Sequence, residues 1–286
     1  MKDPIVVIVG QTASGKSALG MKLAKQYQGE IVCADSRTVY RSMDIGTAKP
    51  TQQDQKEVRH FGLDLINPNE YYSAAAFQSY ARATIKDIQK RGKLPIMVGG
   101  TGLYVDGYLY DFSFGAEPNT QTRVKFESMS LEELQDRAVK LGIGREQIDF
   151  ANHRHLSRAV ERGGVTPTRN ALSSNVLLLG LQIDAEQLKE RIKTRVDTMF
   201  ESGLEEEVQN VINLYGAEAT GLLTPGYKAM RSYIEGSISL EEAKTLFIRN
   251  DWYLAKRQMT WFKRNPDIRW CASEHQANDY VRAFLH

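Results

Sequence analysis

The chain has 286 residues, with 37 lysines and arginines against 35 aspartates and glutamates, a formal charge of +2. A total this close to balance excludes any argument for nucleic-acid binding from net charge and leaves only local clusters to carry one. Apolar residues make up 42% and charged residues 25%, ordinary for a globular protein, and no apolar run approaches the length of a membrane-spanning helix. Cys33 and Cys271 are too few for a disulfide framework and show no metal-ligand spacing. Small buried hydrophobes in a reducing compartment are expected of them. No signal or transit peptide is visible, so the cytoplasm is the expected location.

In chain order, Ile5 to Val9 is a β-branched run of the kind buried on both faces of a parallel sheet. Gly10 to Ser17 then fits Gly-x-x-x-x-Gly-Lys-Ser, the phosphate-binding loop. Leu19, Leu23, Ala24 and Tyr27 follow at helical spacing, so the loop lies between a strand and a helix. Gly10 and Gly15 permit the backbone to turn successive N–H groups onto anionic oxygens, and the helix adds its positive end. Lys16 is expected to reach the outer phosphates, and the Ser17 hydroxyl to ligate Mg²⁺. The motif alone leaves open which phosphate compound is held.

Ile31 to Ala34 reads as a second buried strand that sets Asp35 and Ser36 at its carboxyl end, on the rim where such sheets bind ligands. Residues 37–50 form a polar loop whose length suggests function. Phe61 to Ile66 is a weak strand. Ser73 caps a helix that runs to Lys90, and Leu94 to Val98 is a further buried strand leading into the glycine turn Gly99-Gly100-Thr101-Gly102. That turn serves either a ligand or only a tight strand-to-helix connection.

The pattern changes to helical and charged between about Phe112 and Val165, with helices expected over 117–127, 130–141 and 147–162. Arg154, Arg158 and Arg162 recur every four residues on one helix face, which suits a polyanion or merely solvent. Val176 to Ile183 returns to the sheet, and helices follow at 185–199, 204–215 and from the Ser239/Glu242 capping box to about Lys263. The last interleaves Lys256, Arg257, Lys263 and Arg264 with Trp252, Tyr253 and Trp261. Such a pattern can hold nucleic-acid backbone and stack bases, or place its aromatics in a core. The expected architecture is α/β: a phosphate-loop NTPase-like parallel sheet formed by residues 1–112 and 175–286, with a helical insertion at 113–174.

Several blocks together resemble the tRNA dimethylallyltransferase (tRNA isopentenyltransferase) family. They are Gly-Gln-Thr-Ala-Ser-Gly-Lys-Ser at 10–17, Asp-Ser-Arg-Thr-Val-Tyr at 35–40, Met-Asp-Ile-Gly-Thr-Ala-Lys-Pro at 43–50, Gly-Gly-Thr-Gly-Leu-Tyr at 99–104, Arg-Val-Asp-Thr-Met at 195–199 and Ala-Lys-Arg-Gln-Met-Thr-Trp-Phe at 255–262. The resemblance implies transfer of a dimethylallyl group from dimethylallyl diphosphate to N6 of the adenosine 3′ of the anticodon in tRNA. It implies that Gly10, Thr12, Ala13, Ser14, Gly15, Lys16 and Ser17 hold the diphosphate, with Mg²⁺ on Ser17. Asp35 would be the general base and Thr101 would bond the oxygen bridging diphosphate and allyl carbon, with Lys16 stabilising the leaving group. It further implies tRNA contacts from Asp35, Ser36, Arg37, Thr38, Thr101, Arg123, Arg154, His155, Leu156, Ser157, Arg158, Lys256, Arg257, Gln258 and Trp261, in an enzyme that works as a monomer on the anticodon stem-loop. The family usually has Pro at Gln11, Gln at Thr38, Gln-Arg at Arg154-His155 and an arginine pair or Arg-Gln at Trp252-Tyr253, so looser tRNA recognition is expected. Two alternatives use fewer of these blocks: a phosphate-loop small-molecule kinase using ATP, with Asp35 as base, and a nucleotide-dependent switch.

Overall fold

A computed structural model describes residues 3–114, 120–146, 148–165 and 170–285, with residues 120, 121, 123, 124 and 154 described in backbone only. The chain divides into two compact units, Met1–Leu109 with Leu172–His286, and Tyr110–Ala171.

The first unit is built on a six-stranded sheet in the order β3-β2-β4-β1-β5-β6, every pairing parallel. The strands are β1 (Ile5–Gly10), β2 (Gly29–Cys33), β3 (His60–Phe61), β4 (Leu94–Gly99), β5 (Val176–Leu181) and β6 (Arg269–Cys271). β1 lies at the centre and is buried over its whole length, as its unbroken apolar run requires. Its register sets Val6 against Ile96 and Leu177, and Ile8 against Val98 and Leu179. The expected strand over 61–66 shrinks to His60–Phe61, with only a bridge between Tyr40 and Ile66 beyond it.

Around the sheet run α1 (Lys16–Gln26), α2 (Gln52–Glu57), α3 (Ala74–Lys90) and α4 (Gly102–Leu109). The second unit contains α5 (Thr120–Glu127), α6 (Leu131–Lys140) and α7 (His153–Glu161). The chain then returns through α8 (Ala185–Glu201), α9 (Leu204–Tyr215), α10 (Pro225–Ile234), α11 (Leu240–Phe262) and α12 (Glu274–Leu285). Helix starts follow side-chain caps: Ser73 accepts the Ala76 N–H, and Thr51, Ser130 and Ser239 each form a complete capping box. α7 begins six residues later than the sequence pattern suggests, because Asn152 caps it by accepting the His155 N–H.

Among the described residues, two apolar clusters can be traced in the first unit. One joins Val6, Ile8, Leu177 and Leu179 of the sheet to Leu19 and Leu23 of α1 and Ala277 and Val281 of α12. The other joins α8 to α11 through Ile192, Val196, Val208, Met230 and Phe247, and reaches Val39 and Met43 of the long polar loop. The second unit has its own core of Leu134, Ala138, Ile143, Phe150, Leu156, Ala159 and Val160.

Three consecutive backbone N–H groups of the loop over 37–50 converge on one carboxylate. Glu207 of α9 accepts the N–H groups of Asp44 at 2.6 Å, Ile45 at 2.7 Å and Gly46 at 3.0 Å, and the Tyr227 hydroxyl at 2.6 Å. Tyr227 is only 1% exposed, so its hydroxyl has no water to turn to. Glu207→Ala should therefore destabilise the fold by about 2–4 kcal/mol, read by urea denaturation. An unchanged midpoint would show that the loop does not depend on this clasp.

Candidate functional site

The carboxyl ends of β1, β2 and β4 carry the phosphate loop, Asp35 and the Gly99–Thr101 turn, and all three open into one cavity of about 690 Å³. Its wall also includes Arg37, Thr38, Lys49, Arg191, Arg195 and Gln258. Parallel sheets place ligand sites at this end because the loops leading out of the strands emerge there.

The phosphate loop has the backbone its glycine spacing demands. Gly15 caps α1 at φ 94°, a left-handed conformation that favours glycine, and Ala13 adopts φ 59°. The Ser14 N–H donates to the Gln11 carbonyl at 3.2 Å, and Lys16 Nζ donates to the same oxygen at 3.3 Å. Loss of water around the Lys16 ammonium lowers its pKa to about 8, with Arg195 adding to the fall while Asp35 and Asp251 oppose it. Two further cations, given no role in the sequence argument, line the same cavity. Arg191 and Arg195 lie four residues apart on α8, and Arg191 Nη1 donates to the Ser14 carbonyl at 3.4 Å. The block at 195–199 was a signal for Arg195, but a block match does not say which of its side chains turns inward.

Asp35 sits just past the end of β2. Its Oδ1 accepts the Arg37 N–H at 2.9 Å, and Oδ2 makes no hydrogen bond among the described residues. Thr101 bonds the neighbouring rim: its Oγ1 accepts the Ser36 N–H at 2.9 Å and donates to Ser36 Oγ at 3.2 Å, while its own N–H donates to the Ala34 carbonyl. Thr38, 5% exposed, donates from its hydroxyl to the Asp35 carbonyl at 3.4 Å. The Arg37 guanidinium turns inward and reaches Asp251 at 3.5 Å.

α11 closes the site. Gln258 is buried in the cavity wall, where its Oε1 accepts the Thr12 N–H at 2.7 Å and its Nε2 donates to the Gly100 carbonyl at 3.1 Å. Its amide ties the two glycine-rich turns together from the cavity wall. Gln11 Nε2 donates to the Ala255 carbonyl at 3.1 Å, a second tie between the phosphate loop and the same helix. Lys256 and Arg257 face outward and are exposed. Trp261 donates its indole N–H to Asp106 Oδ2 at 2.8 Å and stays 40% exposed. Gly102 makes room for it, since a Cβ there would lie 2.3 Å from the indole.

In the helical unit, Arg158 donates to Glu161 at 2.9 Å and to Glu127 at 2.7 Å, and His155 is exposed. Leu156 and Ser157 are 0% and 1% exposed, so their expected contact with RNA is corrected: helical periodicity turns these two positions into the unit's own core. The side chains of Arg123 and Arg154 lie outside the described residues.

Among the described residues no group of three or more His, Cys, Asp or Glu could hold a metal, and no helix is long and apolar enough to cross a membrane. What the sheet and cavity define is a phosphate-loop α/β protein with a carboxylate on the rim of its anion site.

Comparison narrows that class. The family model described as IPP transferase matches residues 38–265, and the chain belongs to this family. The tRNA dimethylallyltransferase of Pelotomaculum thermopropionicum is 40% identical, covering 97% of this chain and 93% of its own. The tRNA isopentenylpyrophosphate transferase of Bacillus halodurans superposes with a TM-score of 0.77 at 34% identity, covering 99% and 97% of the two chains. The corresponding enzyme of Staphylococcus epidermidis gives 0.73 at 31%, covering 99% and 98%.

Lys16 loses its proton as pH rises through about 8, and with it the attraction for an anion. Relative to Lys16→Arg, whose charge persists, the affinity of the native protein for inorganic diphosphate should fall by about tenfold per pH unit above that point. Calorimetric titration between pH 7 and 9.5 tests this, and a constant ratio would remove Lys16 from the anion site.

Proposed function

We propose that this chain transfers a dimethylallyl group from dimethylallyl diphosphate to N6 of the adenosine 3′ of the anticodon in tRNA. The observation that carries this reading is the opening of Lys16, Asp35 and Thr101 into one cavity in a chain of the IPP transferase family. A phosphate-loop kinase would need only the first two of these, and family membership favours the transferase.

The adenine amine is a weak nucleophile because its lone pair is delocalised into the ring. As N6 attacks the allylic carbon, its proton passes to Asp35, whose Oδ2 is available, and the bond from carbon to the bridging oxygen breaks with its electron pair going to the diphosphate. The Thr101 hydroxyl supports that oxygen by turning its hydrogen away from Ser36. Lys16, Arg191, Arg195 and the loop N–H groups stabilise the charge that develops on the leaving group. Ser17, at the start of α1 and on the cavity wall, would hold a Mg²⁺ through its hydroxyl, since this ion takes oxygen ligands and is usually bound beside substrate phosphates rather than in an all-protein cage. When bound, Mg²⁺ supplies further neutralisation of the leaving group. An adenine must leave its stack to meet Asp35, which costs little in an anticodon loop. Lys256, Arg257 and Trp261 on the outward face of α11 suit RNA backbone and a base; the helical unit by itself offers the exposed His155 and the Arg123, Arg154 and Arg158 positions to tRNA. The reaction needs one copy of the chain.

Incubation with Mg²⁺, dimethylallyl diphosphate and an anticodon stem-loop should raise the RNA mass by one five-carbon unit. No gain, or phosphate transfer from ATP instead, would overturn the reading. Asp35→Ala should slow transfer by about 10²–10⁴-fold while leaving inorganic diphosphate binding largely intact. Equal loss of both would reject Asp35 as the base. Replacing Lys256 and Arg257 together with Ala should reduce the slope of log affinity against log salt by about 1.4, at roughly 0.7 per phosphate contact on single-stranded RNA. An unchanged slope would return both to solvent.

A further inference from the structure

α11 buries one stripe, made of Ala243, Phe247, Asp251, Ala255, Gln258 and Phe262. In the middle of it is a carboxylate: Asp251 is 0% exposed. A charge so placed is retained only where opposite charges meet it. Arg195 Nη2 donates to its Oδ2 at 2.6 Å, and Arg37 Nη1 reaches its Oδ1 at 3.5 Å. The two arginines come from different parts of the chain, α8 and the loop after β2. Both line the cavity beside Lys16, whereas Asp251 stands behind them and does not. Arg195 is left with a buried Nε that makes no hydrogen bond among the described residues. Asp251 also supports the positive charge of Lys16 through space. The mechanism proposed above uses the cations and leaves this carboxylate without a role.

We infer that Asp251 is a positioning residue, the resident counter-ion of the diphosphate subsite. It holds Arg195 and Arg37 on the α11 side of the cavity when no anion is bound. It then competes with a bound diphosphate for both, which limits how tightly the product is gripped. The inference rests on the diphosphate site of the proposed function. A structural ion pair makes the opposite demand: its loss would loosen the site and weaken anion binding. Removal of a competing counter-ion leaves two guanidinium groups with no internal partner, so an incoming anion gains what Asp251 gave up.

The test is calorimetric titration of Asp251→Asn and Asp251→Ser with inorganic diphosphate at pH 7, alone and in an Arg195→Ala background. Either folded variant should bind diphosphate about tenfold more tightly than the native protein, and the gain should shrink to less than about threefold once Arg195 is gone, as expected of two residues acting as one unit. Unchanged or weaker binding in the folded variants overturns the inference, as does a gain that survives intact without Arg195. Failure of both variants to fold assigns the carboxylate a structural role and overturns it equally. A protein that shows the tightening but does not prenylate RNA removes the proposed reaction and leaves the role of Asp251 standing.

Discussion

The structure depends on keeping an excess of positive charge in one cavity. Lys16, Arg37, Arg191 and Arg195 all line the same cavity, and left alone they would repel one another and draw solvent in. α11 makes the arrangement tenable. It brings Asp251 to two of the cations, and Gln258 and the Ala255 carbonyl to the phosphate loop. An anion site opened by the first strand is therefore finished by a helix near the other end of the chain. Local sequence can shape the loop, but only long-range packing can hold its charge.

The same economy governs the rim. Ser36 and Thr101 bond to each other across the ends of β2 and β4, and the Asp35 side chain is steadied by the Arg37 N–H. These bonds use backbone donors that a parallel sheet leaves free where its strands end. The rim carboxylate is thus oriented by a backbone group that carries no net charge.

Much of this was legible in the sequence, and the pattern of what was not is physical. The buried strands announced themselves as runs of Val, Ile and Leu, and the start of α11 as Ser239 three residues before Glu242, because both signals are local. The phosphate loop, Asp35 and Thr101 could be set on one rim because strand ends and loops follow one another along the chain. Asp251 could not be read this way. As a letter it is one more polar residue on a charged helix, and only the fold turns it to face Arg195. Gln258 is a related case: it follows Lys256 and Arg257 in sequence, but only the fold shows that it is buried against the two glycine-rich turns while they are exposed. Leu156 and Ser157 were swept into a binding segment by adjacency, although helical geometry turns them inward. β6 and α12 were missed because a three-residue strand and a mixed amphipathic helix carry little signal before they pack.

Cys33 gives the cavity a property of a different kind. Its sulfur belongs to the cavity wall, two residues before Asp35, and burial, aided by that carboxylate, pushes its pKa up to about 12. A thiolate there would be a far better nucleophile than an adenine amine, and an allylic diphosphate would alkylate the protein instead of RNA. Held as a neutral thiol, the residue is only a small apolar patch. Burial, more than the neighbouring carboxylate, thus keeps this cysteine of the cavity wall neutral and unreactive.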